Sequence, residues 1–263
     1  MTSNPVGKVL SAFQNSHTAF MPYFTLGYPD YATSLDIIRA CVEAGADIME
    51  LGIPFSDPIA DGKIIQHSTH SALENGITPG KCLDGINKMR VIGVTTPFMV
   101  MSYFNPILSW GVRKFIKDSY DAGVNGFIIP DLPFEEAQSV EEECIKYKMG
   151  LSYMLAPNSR SDRVGKILEH STGFVYLVSV IGITGERSTL STDLDKFILD
   201  IKKRTKKPLA VGFGISTPEQ ASMVGNVADG VIVGSAFVRT IANAISNKKK
   251  AWCCCWVICK ALC

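Results

Sequence analysis

Apolar residues along this chain fall in short continuous runs, separated by longer stretches in which they recur every third or fourth position. The runs read as strands buried on both faces, at residues 20–26, 47–51, 97–103, 126–130, 151–155, 174–179, 208–212 and 230–234. The stretches at 32–44, 112–122, 134–147, 161–169, 193–205 and 218–224 read as helices. Alternation of strand and helix predicts a parallel sheet wrapped by helices. Eight such units in 263 residues fit a closed (βα)8 TIM barrel of the α/β class. An open doubly wound sheet of that length would carry fewer strands and a separate domain. The long second unit leaves room for extra helical decoration at 64–75, ahead of a helix at 79–90. No linker-like shift in composition divides the chain, so one barrel domain is expected over residues 1–263.

Bulk composition narrows the function. A hydrophobic fraction of 46% with 19% charged residues builds a sizeable core. The 26 basic and 25 acidic residues leave a net charge of +1, which gives no electrostatic footprint for nucleic acid. There is no uninterrupted apolar stretch of about 18 residues and no signal-like N-terminus, so a cytoplasmic protein without a membrane partner is expected. Cys41, Cys82 and Cys144 lie too far apart in sequence for a metal-ligand pattern and read as reduced thiols. His67 and His70 share a helix face but lack a third ligand, so no metal site is expected.

Chemistry concentrates in the Gly- and Pro-rich segment 50–62. Glu50 closes the second strand, and the turns at Pro54 and Pro58 fold the loop so that Asp61 faces the same ligand. The alternative assigns Asp61 to a helix cap and Glu50 to a salt bridge. A carboxyl at the end of a buried strand is desolvated, which raises its pKa toward the working pH and suits it to give and take a proton. In a barrel, Glu50, Asp61, Asn105, Asp131, Gly185, Gly214 and Ser235 would all lie at the C-terminal ends of the strands. The glycine turns around Gly212–Ser216 and Gly234–Ser235 follow the seventh and eighth strands, where barrels commonly bind phosphate. The hydroxyl-rich segment 179–192 reads as a lid over a ligand. The tail, 248–263, opens on three consecutive lysines and carries five of the eight cysteines, and reads either as a last barrel helix or as a lysine-flanked acylation site.

The segment Glu50-Leu51-Gly52-Ile53-Pro54-Phe55-Ser56-Asp57-Pro58-Ile59-Ala60-Asp61-Gly62 is supported by Tyr103-Phe104-Asn105-Pro106, Pro130-Asp131-Leu132-Pro133, Ile183-Thr184-Gly185 and Gly212-Phe213-Gly214-Ile215-Ser216. On these motifs the chain resembles the tryptophan synthase α-subunit family. The resemblance implies a (βα)8 barrel that cleaves indole-3-glycerol phosphate to indole and glyceraldehyde 3-phosphate, with no cofactor or metal in this chain. Glu50 then matches the general acid/base that protonates the indole ring, Asp61 the acid that holds the ring N–H, and Tyr176 a tyrosine near the reacting centre. Gly185, Gly214, Gly234 and Ser235 match backbone donors to the phosphate, and Thr184 lies in the lid. Tyr23 and Met101 match the indole pocket, and Lys63 takes a place often held by Pro. The family works as an αββα complex in which a pyridoxal-phosphate β subunit receives the indole, and Pro54 and Asp57 match contacts with it. Two further readings are a stand-alone lyase that makes free indole and a non-catalytic subunit that activates the β partner.

Overall fold

Parallel pairing runs around the whole molecule. The computed structural model describes residues 4–178, 192–212, 214–247, 250–251 and 253–254. Its strands are β1 (Ala19–Thr25), β2 (Met49–Gly52), β3 (Phe98–Met101), β4 (Gly126–Ile128), β5 (Gly150–Ser152), β6 (Met154–Leu155), β7 (Val175–Val178), β8 (Leu209–Gly212) and β9 (Gly230–Val233). They form one sheet in the order β5-β4-β3-β2-β1-β9-β8-β7-β6. Only Tyr153 separates β5 from β6, so these are two halves of one strand and the two ends of the sheet meet there. Across this seam Tyr176 N–H donates to the Tyr153 carbonyl at 3.1 Å. The result is the (βα)8 barrel that the alternating pattern predicts.

The helices form for local reasons. Helix α1 (Pro5–Ala12) starts on an Asn4 side-chain cap, α2 (Tyr31–Ala44) on Asp30, and α4 (Pro79–Val91) on Thr78, each side chain accepting a first-turn N–H. Gly45 ends α2, and Gly123 ends α6 (Val112–Ala122), in the left-handed conformation that glycine adopts without steric cost. The decoration after β2 is α3 (Lys63–Glu74). Helices α5 (Phe104–Trp110), α7 (Gln138–Tyr147), α8 (Ser161–His170), α9 (Thr192–Arg204), α10 (Pro218–Gly225) and α11 (Ser235–Ser246) complete the shell. Between sheet and helices, Phe24, Phe98, Phe115, Phe127 and Phe237 are fully buried. Burial of a side chain of this size contributes about 1.5–3 kcal/mol.

The register decides what faces the barrel interior. Tyr23 pairs with Glu50, Glu50 with Met99, and Gly52 with Met101, so these residues share one face of the sheet at its C-terminal end. Buried Thr25 and Ser68 hydroxyls meet at 2.7 Å and tie β1 to α3.

Several elements depart from the sequence reading. Helices α1 and α5 were not expected, and residues 134–147 divide into a 3-10 turn at Phe134–Glu136 and helix α7. The helix that closes the eighth unit is α11, directly after β9, rather than the cysteine-rich tail. In the tail Ala251 is buried, and residues 255–263 lie outside the described residues. Cys41, Cys82 and Cys144 are buried and, among the described residues, lie outside any disulfide. Among the described residues no helix is long and apolar enough to cross a membrane.

Candidate active site

A cavity of about 400 Å³ opens at the C-terminal ends of the strands. Tyr23 enters it from β1, Glu50 from β2, Met101 from β3 and Tyr176 from β7, while Asp61 reaches it from the loop before α3. The sequence reading brought these five residues to one site, and the structure places them there.

Glu50 is 1% exposed, and its Oε2 has no hydrogen-bond partner among the described residues. Burial, followed by the nearby Asp61 charge, raises its pKa to about 8. Asp61 is 8% exposed and is raised less, to about 6. Burial again dominates, but the Tyr103 hydroxyl donates to Asp61 Oδ2 at 3.1 Å and favours the ionised form. Near neutral pH Glu50 is therefore mostly a protonated acid and Asp61 mostly a carboxylate. Two carboxyl groups in one cavity thus hold different protonation states.

Neither alternative to chemistry holds for this pair. The residue capping α3 is Gly62, with no side-chain cap bond, so Asp61 is not a helix cap. Among the described residues, Glu50 forms no salt bridge. The backbone around Asp61 is fixed instead by its own contacts: Asp61 N–H donates to the Pro58 carbonyl at 3.0 Å, and the Gln66 amide donates to the Asp61 carbonyl at 2.8 Å. Two inward tyrosines complete the polar wall. Burial holds the hydroxyls of Tyr23 and Tyr176 well above the usual phenol range, with the carboxylates adding to the effect. A Cβ added at Gly52 would overlap the Tyr23 hydroxyl, and one at Gly212 the Tyr176 hydroxyl. These strand-end glycines make room for the phenols.

Gly214, Gly234 and Ser235 line the same cavity. Gly214 has φ +84°, a left-handed conformation that favours glycine. Gly234 caps α11 without a side chain, and the first intrahelical bond is Val238 N–H to the Gly234 carbonyl at 3.0 Å. Helix geometry leaves the earlier N–H groups without intrahelical partners, and Ser235 and Ala236 line the cavity where those groups begin. That is an anion site in form.

Sequence reasoning missed several lining residues. Ile64, Ile65, Ile215 and Ile232 supply apolar wall, and Lys63 and Arg239 line the same cavity. Tyr103 was quoted in a motif but given no role, although its hydroxyl reaches Asp61. Asn105 and Asp131 are exposed and are not among the residues lining this cavity. Asp131 Oδ1 instead accepts Phe104 N–H at 2.9 Å and starts α5. Pro54 is buried, whereas Asp57 is exposed. Thr184 and Gly185, with residues 179–191 of the lid segment 179–192, lie outside the described residues. His67 and His70 are exposed, and among the described residues no cluster of three potential metal ligands occurs.

A family profile described as tryptophan synthase alpha chain matches residues 10–261. The chain belongs to the tryptophan synthase alpha chain family. The match reaches into the tail, beyond the range over which the motifs carried the resemblance. A tryptophan synthase alpha chain from Dehalococcoides mccartyi is 42% identical over 246 residues, covering 94% of this chain and 96% of its own. A longer Saccharomyces cerevisiae protein called tryptophan synthase is also 42% identical, over 91% of this chain but only 34% of its own. Among solved structures, a tryptophan synthase alpha chain from Legionella pneumophila superposes with a TM-score of 0.90 at 34% identity, covering 99% of this chain and 96% of that one. The tryptophan synthase structure from Mycobacterium tuberculosis superposes with a TM-score of 0.87 at 32% identity, covering 100% and 97%. As a member of the tryptophan synthase alpha chain family, the chain is a lyase that cleaves indole-3-glycerol phosphate.

Proposed function

We propose that Glu50 and Asp61 divide the acid–base work of this cleavage between them, and that Tyr176 sits beside the reacting carbon. Protonated Glu50 gives its proton to the ring carbon that bears the glycerol phosphate side chain. Positive charge then appears on the ring nitrogen, and ionised Asp61 accepts the ring N–H and stabilises that charge. The Glu50 carboxylate left behind takes the proton from the hydroxyl on the adjacent side-chain carbon. The carbon–carbon bond breaks, its electron pair returns to the ring, and indole and glyceraldehyde 3-phosphate separate with Glu50 protonated again. Tyr23, Met101, Ile64 and Ile232 form the walls for the indole ring, and backbone N–H groups at Gly214, Gly234 and Ser235 bind the phosphate. The observation that carries this reading is the Glu50 carboxyl itself, buried, with one oxygen unpartnered among the described residues, in the same cavity as Asp61. A partner-activating role alone would leave the desolvation of two acids without a use.

The chain acts with a β subunit that consumes the indole. The yeast relative supports this: the segment resembling this chain is 34% of that protein. The surface offered to the partner includes exposed Asp57 and Ile59, the latter 79% exposed, while buried Pro54 shapes the loop from beneath. We place this assembly in the cytoplasm, as an αββα complex.

The test is indole release from indole-3-glycerol phosphate by the purified chain with the β subunit present. Glu50→Gln should lower release at least about 1,000-fold while complex formation is kept. Release by Glu50→Gln near the unaltered rate would remove Glu50 from the chemistry.

A further inference from the structure

The cavity that carries the backbone cradle is also lined by two cationic side chains, Lys63 and Arg239. Lys63 is the first residue of α3, and Arg239 lies one turn inside α11, four residues past Ser235. The two helices pack against each other, and both side chains line the cavity that Gly214, Gly234 and Ser235 also line. The remaining titratable groups on its wall are Glu50, Asp61, Tyr23 and Tyr176, all of which are neutral or negative.

Charge balance makes these cations consequential. Substrate brings a phosphate dianion into a cavity that already contains an ionised Asp61. Lys63 and Arg239 on the same wall oppose that repulsion and add to the attraction of the backbone N–H groups for the dianion. Helix physics gives no local reason for Lys63. The first position of a helix suits proline, which has no N–H to leave unpaired and a φ already near the helical value. A positive side chain there opposes the helix dipole, which favours negative charge at that end. A cation held against the dipole gains most when an anion lies beside it.

We propose that Lys63 and Arg239 form a cationic clamp at the cavity mouth that closes on the substrate phosphate and selects phosphorylated over unphosphorylated indolyl glycerol. The clamp rests on the phosphate cradle described above and adds side-chain charge to it. Because Lys63 is exposed, its share is screened by salt, so substrate affinity depends on ionic strength.

The experiment uses the full chain with its β subunit. It measures KM and kcat for indole-3-glycerol phosphate, and competitive inhibition by glycerol 3-phosphate, at low and high salt. Lys63→Gln and Arg239→Gln should each raise KM and the inhibition constant about 3- to 10-fold at low salt, and the double variant more, with kcat within about two-fold. The salt dependence should flatten in the double variant, and Lys63→Arg should restore affinity. A merely structural role would lower kcat or stability and leave the salt dependence unchanged. KM values within about two-fold of the unaltered chain, with the salt dependence intact, would overturn the clamp. Gly234→Asp separates the two layers of the reading, because it sets a carboxylate at the α11 N-terminus. If Gly234→Asp abolishes glycerol 3-phosphate inhibition while the Lys63 and Arg239 variants do not weaken it, the clamp fails and the cradle stands. If Gly234→Asp also has no effect, the phosphate reading fails and takes the clamp with it.

Discussion

Tyr103 gives its hydroxyl hydrogen to Asp61 Oδ2 at 3.1 Å and accepts the Ala60 N–H at 3.0 Å. One phenol therefore ties a cavity carboxylate to the backbone of the loop that carries it, and its burial makes both bonds count. Tyr103→Phe removes a bond that favours ionised Asp61, whose pKa then rises above about 6. On the proposed role of Asp61 as a carboxylate, the acidic limb of kcat/KM should move to higher pH. The loss should reach about 10-fold below that limb and shrink toward alkaline pH. A pH profile of indole release for the variant measures this directly. An unmoved acidic limb would show that Tyr103 does not set the ionisation of Asp61.

Glu50 should cost the fold stability as pH rises. Its folded pKa is raised from 4.5 to about 8, so between those values the unfolded chain releases a proton that the folded chain keeps. The unfolded state binds fewer protons there, and stability falls as pH climbs through that window. Glu50→Gln removes the titrating group. At pH near 8 the variant should be more stable by about 2–4 kcal/mol, and near pH 4 the difference should almost vanish. Urea unfolding at both pH values checks it; an equal difference at the two would refute the assignment.

Gly212 and Tyr176 should behave as a coupled pair. An added Cβ at Gly212 meets the Tyr176 hydroxyl, so Gly212→Ala forces the ring from its position. The cost should be about 1–3 kcal/mol of stability together with a fall in kcat. Combining Gly212→Ala with Tyr176→Leu, which removes the ring carbons that the Cβ meets as well as the hydroxyl, should recover part of the stability but not the activity. Additive stability losses in the double variant would mean that the two residues do not meet.

Much of the barrel was legible because parallel strands covered on both faces read as continuous apolar runs, as at β3 and β9, where every residue is buried. Helix α1 escaped because it is a short amphipathic helix of about two turns whose signal, Asn4 before Pro5, was present but read only as an N-terminus. Glu50 and Asp61 were readable because a loop so rich in glycine and proline has few structural uses for carboxylates. Tyr103 was not, since its bond to Asp61 depends on how the β3 and β2 loops fold toward each other across 42 residues of sequence. Asp131 misled for the opposite reason: it stands at the expected strand end, but the nearest unsatisfied donor is the Phe104 amide.

The divided protonation of the two acids is tested most directly by kcat/KM for indole-3-glycerol phosphate as a function of pH, in the complete chain with its β subunit. A bell with limbs near 6 and 8 is expected, rising as Asp61 ionises and falling as Glu50 loses its proton. A rate that stays level up to pH about 9, or that rises through the alkaline limb, would contradict a protonated Glu50 as the acid.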